Sequence, residues 1–224
     1  MSLGHTMATE QTQHPNPLGT LQRFARRTTL EERCELCGAA VAAEHEHLVE
    51  PSKRRFVCAC QACAILFSGQ EGQRYKRVPA RTRMLPDFRL TDAQWDSLLV
   101  PINMAFFFKV SPSGRVTAIY PSPAGATESL LPLETWDQIV EENPQLHSME
   151  ADVEALLVNR LGAVRGFPVN QYFLLPVDQC FKLVGLVRAN WRGLSGGPEL
   201  WQALEDYFAA LTARAGFGVE RRDA

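Results

Sequence analysis

FVCACQACAILF, residues 56–67, sets three cysteines within six positions and runs straight into an apolar tail. Upstream stands CELCG, residues 34–38, so five of the six cysteines fall in one short region. A tetrahedral thiolate site needs four sulfurs. Cys34 and Cys37 form C-x-x-C-G, the shape of a knuckle in which a tight turn aims two thiolates at one point and Gly38 admits the backbone angle that the turn requires. Cys60 and Cys63 form a second C-x-x-C, with 22 residues between the pairs. Two such pairs at that separation predict a metal site made of Cys34, Cys37, Cys60 and Cys63.

The intervening HEHLVEPSKRRFVC reads as a hairpin: an alternating strand, a Pro-Ser turn and a returning strand. After Cys63 the short apolar AILF predicts a helix whose first turn carries the second pair, where free amide groups and the positive dipole end favour thiolate over thiol. Knuckle, hairpin and helix in that order have the layout of a treble-clef zinc finger. Four thiolates close the coordination sphere, which points to structural Zn2+ rather than a catalytic ion. Iron is the alternative, since an all-sulfur tetrahedron also suits a one-iron redox centre; the absence of a glycine after the second pair favours zinc.

Cys58 is the surplus sulfur. On a continuous strand it shares a face with Cys60 and could replace it as a ligand, but C-x-x-C spacing favours Cys60 with Cys63 and leaves Cys58 as a buried or supporting thiol. His45 and His47 stand nearby and are competent ligands that a four-thiolate site does not need. Glu44 to Leu48 with Pro51 resembles part of the HNH nuclease pattern, yet the middle Asn and second His of that pattern have no counterpart in RRFVCACQAC.

Outward from the cysteines, LGTLQRFARRT (18–28) has the spacing of a short leading helix, and RYKRV and TRMLPDF read as short strands. TDAQWDSLL predicts a helix opened by a Thr or Asp cap. NMAFFFKV, RVTAIYPS and PAGATESLLP predict an antiparallel meander that turns at SPSG. LETWDQIVEEN predicts a helix; DVEALLVNRL and QYFLLPV predict two further strands. The final pair of helices comprises VDQCFKLVGLVRANW, apolar on most faces and expected to be largely buried, and PELWQALEDYFAALTARAG, with Leu200, Leu204, Tyr207, Phe208 and Leu211 in one stripe. The fold class is α+β: a four-cysteine module packed on an antiparallel sheet covered by helices. The expected organisation is a disordered tail over 1–17, a metal-binding module with its leading helix over 18–72, an α+β domain over 73–215 and a flexible tail over 216–224.

The chain has 224 residues and 46% hydrophobic content, enough for a substantial core. Clustered cysteines without a secretory leader or a membrane-length apolar run predict a cytoplasmic protein that does not insert into a membrane. Net charge is −2, but residues 53–89 carry nine basic side chains against Glu71 and Asp87, while 90–224 carry 10 basic against 16 acidic. That basic run, interleaved with Phe56, Tyr75 and Phe88, is a candidate nucleic-acid surface, although such charges more often form a solvated face. WRGLSGG, residues 191–197, lacks the lysine and spacing of a phosphate loop and reads as a tight helix–helix turn. No nucleophile–base arrangement or paired-carboxylate motif stands out, which favours a non-enzymatic role.

CELCG, HLVEP, VCACQACAILF, DVEALLVNR, QYFLLPVDQCFKLVGLVR and WRGLSGG, in this order, resemble a family of uncharacterised bacterial proteins whose genes lie beside those of uptake nickel-iron hydrogenases. The resemblance runs from about Leu30 to Ala215. It implies Cys34, Cys37, Cys60 and Cys63 as metal ligands, and a hydrogenase subunit or maturation factor as partner. The expected function is then that of an accessory protein acting through protein–protein contacts.

Overall fold

The computed structural model describes residues 32–69, 72, 74–129, 133–162 and 170–217. The expected leading helix over 18–28, the tail over 1–17 and residues 218–224 lie outside them. Among the described residues, two antiparallel sheets and five helices make up an α+β fold.

The first sheet is built on the anticipated hairpin, β1 (Glu46–Glu50) and β2 (Arg55–Ala59), joined through a 3-10 turn at Pro51–Lys53 and a left-handed Arg54 at φ 49°. β3 (Lys76–Arg77) follows the boundary drawn at residue 72 and pairs with the free edge of β1, giving the order β2-β1-β3. Between β2 and β3 lies the short helix α1 (Gln61–Leu66).

Alternation along the hairpin divides it into two faces with different clients. Leu48, Val57 and Ala59 pack with Cys34, Cys63 and Ala64 in a small core of their own. Val49 and Phe56 point the other way and join the main core of the molecule. The hairpin is therefore a wall shared by two cores.

The second sheet has six strands in the order β4-β9-β8-β5-β6-β7: β4 (Arg83–Met84), β5 (Met104–Val110), β6 (Arg115–Ser122), β7 (Gly125–Ser129), β8 (Glu154–Asn159) and β9 (Gln171–Pro176). Every pairing is antiparallel, and the β5-β6-β7 meander is as the sequence predicts. Both faces are covered, so β8 is buried at all six positions instead of alternating. The three consecutive phenylalanines of β5 divide accordingly: Phe106 and Phe108 go to the face covered by α4 (Val177–Asn190) and α5 (Gly197–Phe217), and Phe107 goes to the face covered by α2 (Asp92–Ser97) and α3 (Leu133–Glu142).

The α5 stripe is buried as its spacing requires, from Leu200 to Leu211. α4 differs from expectation. It buries one stripe, Val177, Cys180, Leu183, Val184 and Val187, while Lys182, Gly185, Arg188 and Ala189 are exposed. A helix in the outer layer of a three-layer fold has one face left for solvent, and the apolar residues beyond the stripe, Phe181 and Leu186, sit half-buried at its margins.

The α4–α5 connection is the tight turn read from WRGLSGG. Gly193, Gly196 and Gly197 all have positive φ, and a Cβ at Gly196 would come within 2.6 Å of Leu200 Cδ2. Arg192 spends its donors locally, on the carbonyls of Ala189 and Trp191. Among the described residues no helix is long and apolar enough to cross a membrane.

Candidate metal centre

Each pair of cysteines reaches the site by the route its sequence dictates. In the first, a turn over 35–37 is closed by an Arg33–Ala40 bridge, the Gly38 amide donates to Cys34 O at 2.8 Å, and Gly38 sits at φ 76°. Glu35 ties this knuckle to β2: its amide donates to Cys58 O at 2.9 Å, and its carboxylate accepts from the Cys58 amide at 2.8 Å. In the second, β2 ends at Ala59 and Cys60 becomes the N-cap of α1, its sulfur accepting from the Cys63 amide at 3.5 Å.

The four sulfurs of Cys34, Cys37, Cys60 and Cys63 all lie within 4.8 Å of one another, and those of Cys37 and Cys60 are 3.8 Å apart. A metal–sulfur bond of about 2.3 Å in a tetrahedron implies a sulfur–sulfur separation of about 3.8 Å. A disulfide would need about 2.05 Å, and all six cysteines are free. Cys34 is 2% and Cys63 6% exposed, so half of the cluster is withdrawn from water.

The electrostatics fit a cation. Burial pushes the Cys34 thiol up, but the backbone amides of Cys60, Cys37 and Leu36 outweigh it and bring the group down to about 6. Burial, followed by the neighbouring sulfurs of Cys37, Cys60 and Cys34, pushes Cys63 up to about 12. The amides thus favour the first thiolate, while burial and crowding oppose another; a divalent ion among them removes that opposition. The four cysteines could hold a metal ion together.

Cys58 is not with them. A shared face with Cys60 holds only while the strand continues; because the chain leaves β2 at Ala59, Cys60 turns to the sulfur cluster and Cys58 keeps the opposite face. There it meets His45 and His47. The signal for this grouping was present as an H-x-H beside a strand and a cysteine across the hairpin, but it depends on a register that the turn sets.

The basic run over 53–89 is paired in part within the molecule. Lys53, Arg55 and Arg74 converge on Glu50, Lys76 pairs with Asp152 and Arg77 with Glu46, so five of the nine cations have an acidic partner. His147 is exposed on a 3-10 turn and Cys180 is fully buried in α4; neither approaches the sulfur cluster.

Fold and site together define an α+β protein with a metal-competent four-cysteine module at its front. Residues 33–215 match the model of a family of unknown function, DUF5947, and the chain belongs to that family. No curated protein and no solved structure matches the chain.

Proposed function

We propose that this chain is a non-enzymatic accessory protein in which Cys34, Cys37, Cys60 and Cys63 hold a structural Zn2+ in a treble-clef finger that docks a protein partner. The observation that carries this reading is the outer end of α1. Its inner face supplies Cys63 and Ala64 to the small core, yet Ile65, Leu66 and Phe67 are 59%, 69% and 45% exposed. Phe67 also lines an open groove of about 360 Å3 with Leu36, Arg74 and Tyr75. Consecutive large apolar side chains on the surface are characteristic of a protein contact. The internal pairing of the basic run leaves less charge for phosphate, which favours a protein over nucleic acid.

The resemblance drawn from the sequence supplies the partner class to try first, a nickel-iron hydrogenase subunit or maturation factor. Co-purification of the full chain with tagged hydrogenase subunits tests it. Enrichment that is lost in Leu66→Asp while the zinc content stays at one per chain is the expected result. No enrichment, together with unchanged hydrogenase activity in a deletion strain, overturns the reading. Iron in the same four sulfurs would make the site a redox centre, and a colourless protein with one zinc and no iron rejects that alternative.

A further inference from the structure

The second face of the hairpin carries a group that the four-cysteine site does not use. His47 stands opposite Cys58 in the β1–β2 ladder, and His45 lies two residues earlier, with the two imidazole centroids 4.6 Å apart. One ring nitrogen of each histidine and Cys58 Sγ lie within 4.8 Å of one another.

The hydrogen bonds decide which nitrogens are available. His45 Nδ1 is 2.9 Å from Ala42 O, and His47 Nδ1 is 2.8 Å from Asp178 Oδ2. A carbonyl and a carboxylate only accept, so each Nδ1 carries a proton, and in the neutral imidazole each Nε2 is then the nitrogen with the free lone pair. The His45 side chain is 7% exposed, and its Nε2 is buried without a hydrogen-bond partner. Buried polar atoms are nearly always paired, and an orphan of this kind points to an absent ligand. Asp178, on the first turn of α4, stands behind His47 in the arrangement by which a carboxylate orients a metal-binding imidazole.

We propose that His45, His47 and Cys58 form a second metal site for a borderline divalent transition ion of the zinc or cobalt type, with Asp178 as the residue that positions His47. Two imidazoles and one thiolate suit such ions, and three protein ligands leave a fourth position open for an exogenous ligand. A thiol nucleophile would need one general base; two imidazoles, both with Nδ1 tied down, supply one lone pair more than that task uses. All three ligands belong to the hairpin and the residues just before it, and the Asp178–His47 hydrogen bond ties the site to α4 of the α+β domain.

Titration with Co2+ of the full chain carrying one zinc per molecule tests the proposal. One equivalent should bind saturably, with a thiolate-to-cobalt charge-transfer band. Cys58→Ser should abolish that band, His45→Ala should weaken binding at least ~10-fold, and Asp178→Asn should weaken it about 10–100-fold, with Asp178→Glu recovering part of the loss. Circular dichroism before cobalt addition checks that each variant is folded. Absence of saturable binding overturns the proposal, as does binding unchanged in Cys58→Ser and His45→Ala, or cobalt uptake matched by zinc release. A chain with no zinc before the titration counts against the four-cysteine reading alone; the difference between wild type and Cys58→Ser still isolates the second site.

Discussion

Glu50 shows how much of the finger's stability rests on one carboxylate. It is 1% exposed at the end of β1, with Arg74 Nε at 2.7 Å, Lys53 Nζ at 3.1 Å and Arg55 Nη2 at 3.4 Å. The Arg74 hydrogen bond is the largest influence; burial opposes it, Lys53 adds to it, and the group falls from 4.5 to about 2. A carboxyl whose folded value is depressed contributes in full above its unfolded value and loses that contribution as pH falls through the folded one. The window here is therefore from 4.5 down to about 2. Glu50→Gln should melt below wild type at neutral pH, and the gap in melting temperature should close across that window. A gap that stays constant with pH would show that the ion cluster contributes nothing to folding.

At the scale of elements, the contact that matters is the one between hairpin and helix. Phe56 of β2 meets Phe181 of α4 edge to face at 5.3 Å, and Phe181 meets Phe106 of β5 at 5.4 Å. One half-buried ring thus links the two sheets. Phe181→Ala should cost about 2–3 kcal/mol, less than the about 3–5 kcal/mol of a fully buried phenylalanine. It should also speed hydrogen exchange in β1 and β2 while leaving metal binding at the four cysteines unchanged. If exchange accelerates evenly over the whole fold, the ring is ordinary core and not a link between sheets.

The same elements show what a sequence can carry. Both C-x-x-C pairs, the glycine of the knuckle, the hairpin and the α5 stripe are local patterns, with causes within a few residues, and they were legible. The grouping of Cys58 with His45 and His47 was not, because it turns on where β2 ends and on a register set by Arg54. A one-residue slip would have sent Cys58 to the other face. Asp178 lies 131 residues from His47, and no spacing rule reaches that far. The exposed side of α4 was equally hidden, since its composition does not say that only one layer would lie against it.

At the scale of the whole molecule, the two cores predict two stages of unfolding. The small core consists of Cys34, Leu48, Val57, Ala59, Cys63 and Ala64, too few apolar side chains to hold without an ion, whereas both faces of the six-stranded sheet draw most of their packing from the sheet and its own helices. Chelation, or Cys34→Ser, should expose residues 34–69 to limited proteolysis and leave a resistant fragment containing β4 to α5. Retention of protease resistance at the finger after complete removal of the ion would show that the hairpin holds its own shape. The wall between the cores has a last consequence. A strand pair one residue thick cannot move on one side alone, so an event that shifts it on the sulfur side is felt on the histidine side. By thermodynamic reciprocity, any effect of a ligand on one side on affinity at the other would be returned by the same factor. The hairpin would then act as the coupling element of a two-input sensor, whose output is how firmly the finger is held against the domain behind it.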